Sequence, residues 1–212
     1  MPDIIMASGP FRYAVDHDWA KLPDHIVWGN THAVAVDSQD RIFVAHTSCE
    51  ASPTKDTIVV FDPEGRYLFS WGEQFYGQAH GAFIAEVDGE PLLHVAVDDP
   101  SQIKRFTLDG VFHSLMPGTF LHPRNIYAKD NLWAIPEMGG RLTLIDQSTG
   151  RTHHLGHWGK TMQDIFKLRT GPRNSFPDGI FASAHGVGFL SNADMIVAEW
   201  VEVGRVSKLV RV

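Results

Sequence analysis

With 212 residues and 43% hydrophobic content, the chain is long enough to bury one good core, and its length favours one domain over two. The charge balance is acidic, with 25 Asp and Glu against 18 Lys and Arg, and no run of like charge offers a grip on a phosphate backbone, so no nucleic-acid partner is expected. A single cysteine, Cys49, excludes an internal disulfide and any zinc-finger spacing. The first six residues lack a basic region followed by a long apolar stretch, so neither a signal peptide nor a membrane contact is expected and the expected location is cytoplasmic.

In chain order, residues 1–30 form an arm that contains one strand candidate, Phe11-Arg12-Tyr13-Ala14-Val15. Residues 31–72 then read as four short β-branched and aromatic runs: His32 to Asp37, Arg41 to His46, Thr57 to Phe61 and Arg66 to Ser70. Turn clusters at Ser38-Gln39-Asp40 and Asp62-Pro63-Glu64-Gly65 separate them. Residues 73–117 repeat this order, beginning at His80 and passing a longer hairpin at Asp88-Gly89-Glu90. Residues 118–157 repeat it again from Arg124. Residues 158–179 break the pattern: Thr161 to Arg169 has an N-cap Thr, an acid three positions on, and Met162, Ile165, Phe166 and Leu168 at helical spacing. This predicts a short inserted helix, either a packing element or a lid. Residues 180–212 start a fourth unit at His185 and stop one strand short.

Internal repeats of four strands predict an all-β fold, a β-propeller of four blades with four antiparallel strands each, in a single domain. An incomplete last blade would expose a sheet edge, so the strand at Phe11 to Val15 is expected to supply its outer strand and close the ring.

The repeat openings carry the chemistry. His32, His80, Arg124 and His185 occupy the same point of their units, so blade symmetry would bring three imidazoles and a guanidinium to one axis. A second ring follows from the hairpin geometry. The strand that returns from each opener ends at His46, Asp98, Glu137 or Glu199, on the same side as the opener. Three neutral imidazoles with open positions suit a divalent transition metal, Zn, Fe, Ni, Mn or Cu, and ligand type alone does not choose among them. Arg124 would bind a substrate carboxylate, while Glu137 or Glu199 would be the general base, with Tyr127 and Tyr76 as outsiders. The competing structural account is that the openers tie strand starts to neighbouring loops and the strand-end acids cap backbone amides of the next turn.

The repeats resemble those of NHL-repeat propellers. The segment Ala184-His-Gly-Val-Gly-Phe-Leu-Ser-Asn-Ala-Asp-Met-Ile-Val-Ala-Glu-Trp200, with Gly204 to Leu209, is most similar to bacterial relatives of peptidyl-α-hydroxyglycine α-amidating lyase. The resemblance covers residues 30–212, although that family is typically six-bladed. It implies a zinc ion held by three histidines, here His32, His80 and His185, with Arg124 serving the substrate. The expected function is therefore a metal-dependent enzyme of lyase or hydratase type acting on a small, oxygen-bearing, carboxylated substrate. A lactonase-like metal-dependent hydrolase and a non-catalytic propeller that binds a peptide or protein are the alternatives. The chain is expected to be a monomer or a homodimer.

Overall fold

A computed structural model describes residues 4–8, 10–99 and 101–212. Blade 1 contains β3 (Thr31–Val36), β4 (Ile42–His46), β5 (Ile58–Phe61) and β6 (Tyr67–Trp71). Blade 2 contains β7 (Ala79–Val87), β8 (Glu90–Val97), β9 (Gln102–Phe106) and β10 (Phe112–Leu115). Blade 3 contains β11 (Tyr127–Lys129), β12 (Leu132–Glu137), β13 (Arg141–Asp146) and β14 (Arg151–Leu155). Each is a four-stranded antiparallel meander running in sequence order from the inner to the outer strand. Blade 4 has three strands, β15 (Ala184–Phe189), β16 (Met195–Glu199) and β17 (Arg205–Leu209). The four sheets are arranged as a four-bladed β-propeller.

The expected closing strand does not close the ring. Phe11–Val15 (β2) pairs with Ile4–Ser8 (β1) in a separate two-stranded hairpin, from Ile4 opposite Val15 to Ser8 opposite Phe11. Two adjacent apolar runs satisfy one another's backbone groups at lower loop-closure cost than a strand from the far end of the chain.

The turns form because short acids fold back on their own backbone. Asp37 Oδ1 accepts from the amides of Gln39 and Arg41, and Asp62 Oδ1 does the same for Glu64 and Arg66. The Nε of Arg41 and of Arg66 then reaches the second carboxylate oxygen, at 2.7 and 2.6 Å. Such Asx turns fix strand register locally.

Between blades, apolar faces interlock. Phe43, Ile58 and Val60 of blade 1 meet Leu93, Val95 and Phe106 of blade 2. Ala96 and Ile103 of blade 2 pack with Trp133, Ile135 and Ile145 of blade 3, and Leu142 of blade 3 packs with Val187, Met195 and Val197 of blade 4. Each fully buried side chain of this size contributes about 1.5–3 kcal/mol. On the free side of blade 1, Ile26, Trp19 and Leu22 of the arm cover Val44, Val59 and Phe61.

The helix α1 (Met162–Arg169) is where the sequence predicts it. Thr161 is its N-cap, accepting from the Asp164 amide, and Ile165 is its buried anchor.

Candidate functional site

Four irregularities at the starts of the inner strands build the site. In blade 1 the ladder pairs Thr31 with His46 and then Ala33 with Ala45, leaving His32 as an extra residue. In blade 4 it pairs Ala184 with Glu199 and then Gly186 with Ala198, leaving out His185. In blade 2 the register jumps from Ala79 to Ala82 and leaves out His80. In blade 3, Pro123 bridges to Glu137, the Arg124 amide donates to the Pro136 carbonyl at 3.0 Å, and regular pairing resumes only at Tyr127. A β-bulge re-aims the side chain of its extra residue. The four openers stand at these irregularities, and all four line one cavity of about 390 Å³ together with Asp98, Gln78 and Trp200.

The imidazoles lie close together. His32 and His80 are stacked, with ring centroids 4.1 Å apart, and His185 meets the edge of His80 at 5.4 Å. His80 Nδ1 is 2.9 Å from the Arg124 carbonyl oxygen, which can only accept, so the proton is on Nδ1 and Nε2 is the free lone pair. Gly81 permits this approach: a Cβ there would stand 2.4 Å from that same carbonyl oxygen. Burial lowers the His80 pKa to about 3, and the Arg124 charge and the other two histidines add to the effect. His32 and His185 are lowered by burial and then by Arg124. All three are neutral at neutral pH.

Arg124 is buried, and its Nη1 donates to both oxygens of Asp98, at 2.7 and 2.8 Å. Its Nε meets the Met138 sulfur.

The other three residues of the expected second ring do not line the cavity. Glu137 is fully buried and accepts from the Leu121 amide, Arg141 and Thr143. Glu199 accepts from the Ala182 amide at 2.7 Å and from Arg205. His46 Nδ1 accepts from the Gly29 and Ser48 amides, each at 3.1 Å. Gly29, Leu121 and Ala182 each lie three residues before the opener of their blade, so one clamp occurs three times. This is the amide-capping account of these positions. Burial raises the Glu137 pKa against the opposing pull of Arg141 and Thr143, whereas burial lowers that of His46 to about 4.

The residue that sequence reasoning missed is Arg169, in the last turn of α1. Its guanidinium lies 3.6 Å over the ring of Trp200, which in turn is 6.2 Å from His185. The inserted helix therefore reaches the rim of the site. His122 does not line the cavity and packs against Phe166 of the helix. Tyr76 and Tyr127 are also outside it. Tyr127 accepts from Asn125 and lines a second cavity of about 710 Å³ along the inner strands.

No family model matches the chain, and no curated protein matches it. Among solved structures it is similar to virginiamycin B lyase from Staphylococcus aureus at 10% identity and a TM-score of 0.51, over 88% of this chain and 57% of that one. It is also similar to a chain of a nidogen/laminin complex at 16% identity and a TM-score of 0.50, over 82% of this chain and 57% of that one. A third neighbour is the extracellular domain of a hybrid two-component system from B. thetaiotaomicron, at 12% identity and a TM-score of 0.53, over 86% of this chain and 20% of that one. At these identities the likeness shows the propeller fold alone. The chain spans less than two thirds of each of these neighbours. Among the described residues, no helix is long and apolar enough to cross a membrane.

Proposed function

We propose that the axial cavity is the active site of a metal-dependent lyase or hydratase acting on a small, oxygen-bearing, carboxylated substrate. The observation that carries this reading is the set of four inner-strand irregularities, which aim three imidazoles and one guanidinium from separate blades into one cavity. The resemblance of the repeats to NHL-repeat amidating lyases supports it. A similar fold also hosts a lyase for which a catalytically inactive histidine-to-alanine variant is known.

His32, His80 and His185 would hold a divalent transition metal, zinc first. They fit in donor type and protonation, being neutral, and His80 already has the Nδ1–H···O=C bond that orients a ligating imidazole through Nε2. They converge only after a rotation: among the described residues no group of three such side chains stands ready to hold an ion, because His32 and His80 are stacked. When bound, the ion supplies Lewis acidity to a hydroxyl or carbonyl oxygen. Arg124 pairs with the substrate carboxylate. Asp98 fixes the Arg124 guanidinium and, as the carboxylate that lines the cavity, is the group placed to take up a proton. Trp200, with the Arg169 guanidinium over its ring, forms part of the cavity wall beside His185.

Elemental analysis of the purified protein beside a His32→Ala/His80→Ala/His185→Ala variant tests this reading. About one equivalent of metal, a metal-dependent rise in melting temperature, and loss of both in a variant with unchanged circular dichroism are expected. Screening hydroxy- and keto-acids for addition or loss of water then tests the reaction class. Wild-type protein that takes up no metal after reconstitution would overturn the reading and favour a non-catalytic propeller.

A further inference from the structure

In each blade the residues that follow the opener border a second space. The openers line the axial site, while Val34, Phe83, Ala128 and Gly188, one from each blade, line the cavity of about 710 Å³. His32 lines both, so the two cavities adjoin along the inner strands. The wall of the second cavity is largely apolar, and Val34 stands in it 62% exposed. Its one lysine is engaged elsewhere: Lys129 Nζ donates to the Leu190 and Ser191 carbonyls, at 2.9 and 3.4 Å. Gly188 is the most telling residue of the wall. It lies within β15 opposite Ile196, where a glycine weakens a strand. Gly81 is needed for a close approach, and other glycines hold a positive φ. Among the described residues, Gly188 alone has neither a positive φ nor any atom within 4 Å of where a Cβ would stand. Backbone and packing place no demand on it, and what its bare Cα does is keep the cavity open.

We infer that the second cavity takes up an apolar chain or ring carried by the substrate of the axial site. The substrate is then an amphiphilic monocarboxylic acid, its carboxylate at Arg124 and its hydrocarbon body among Val34, Phe83, Ala128 and Gly188. This inference rests on the reading of Arg124 as the carboxylate anchor. The occupant is part of the same molecule because the cavities share His32, and because Asn125 and Ile126, the next residues after Arg124, already line the second one. The strand sets its depth. Phe189 stands four residues beyond His185, and at roughly 3.3 Å per residue this gives about 13 Å, room for a medium-length chain. Apolar walls give water few hydrogen-bond partners, so a hydrocarbon that displaces it gains affinity. The same walls discriminate. A second ionised group, as in a dicarboxylate, would lose its hydration there with no partner in exchange.

Calorimetric titration of the purified protein, with and without added zinc, with 2-hydroxybutanoate, 2-hydroxyhexanoate and 2-hydroxyoctanoate tests this. Affinity is expected to rise about two- to fourfold with each added methylene. Gly188→Phe fills the cavity with a side chain that suits a strand, and Val34→Asp sets a charge in its wall. Each variant is expected to keep the wild-type circular dichroism spectrum and to bind 2-hydroxyoctanoate at least tenfold more weakly, flattening the series. Wild-type affinity that is independent of chain length would overturn the inference and leave the axial site as proposed. A chain-length dependence unchanged in both variants would also overturn it, since the hydrocarbon would then lie elsewhere. The converse failure is distinct: a dependence that persists without metal and in Arg124→Gln, but is lost in Gly188→Phe, would support the apolar subsite and overturn the reading of the axial site.

Discussion

Glu199 in blade 4 and Asp98 in blade 2 stand at the same point of their repeats, at the end of the strand that returns beside the opener. Glu199 turns inward, takes the Ala182 amide and Arg205, and is lost to solvent; Asp98 takes Arg124 and borders the cavity. His46 and Glu137 behave like Glu199. In a repeat protein the shared behaviour of equivalent residues marks what each blade needs to fold, and the one that departs from it, here Asp98, is the one left to border the cavity. Blade 2 can release Asp98 because its own pre-opener residue, Gly77, donates its amide to the Thr47 carbonyl of blade 1.

Breaking the two residues in parallel should separate the roles. Glu199→Ala leaves Arg205 buried without its partner, and such losses cost about 3–5 kcal/mol. The denaturation midpoint should fall accordingly. Asp98→Asn keeps the shape and an acceptor oxygen for the buried Arg124, so its stability cost should be smaller than that of Glu199→Ala, while metal uptake or turnover drops at least tenfold. Equal destabilisation by the two substitutions would erase the distinction.

Acid should sharpen the same contrast. His46 and His94 are buried with pKa values lowered to about 4, and His80 to about 3. Between those values and 6.5 the unfolded chain binds protons that the folded chain refuses, so stability is full above pH 6.5 and falls as pH drops towards 4. Each such proton is worth about 1.4 kcal/mol per pH unit. Urea titrations from pH 7.5 to 4.5 should show this slope. It should be shallower in a His94→Gln variant. A profile that is flat over that range would show that these histidines are not held neutral.

The smallest effect is expected at the rim. Arg169→Ala removes a cation–π contact worth about 0.5–2 kcal/mol and unfastens the helix end from Trp200. Tryptophan fluorescence should become more accessible to acrylamide, with little change in the denaturation midpoint.

The strands and the openers were legible because their causes are local. Alternating apolar residues, Asx turns at Asp37 and Asp62, and Thr161 at a helix start act within a few positions of themselves. The repeat then carried the four openers to one axis by symmetry alone. The fate of the strand ends was open in the sequence: a carboxylate there can face the axis or cap an amide, and the choice depends on how the preceding loop passes beneath it. Arg169 gave no signal, since its partner Trp200 is 31 residues away and nothing in the helix pattern points to a stacking aromatic. The detached hairpin does have a local signal. Ser8-Gly9-Pro10 is turn punctuation between two apolar runs, and it marks the strand at Phe11 as the partner of its neighbour.

The sequence by itself determined the number of blades, the order of their strands and the residue at each blade's opening, because pleat, turn and repeat are encoded at short range. The tertiary structure decided which of the strand-end groups borders the cavity and which arginine reaches its rim. Those outcomes depend on burial and on partners supplied from distant parts of the chain, so they exist only once the blades have packed.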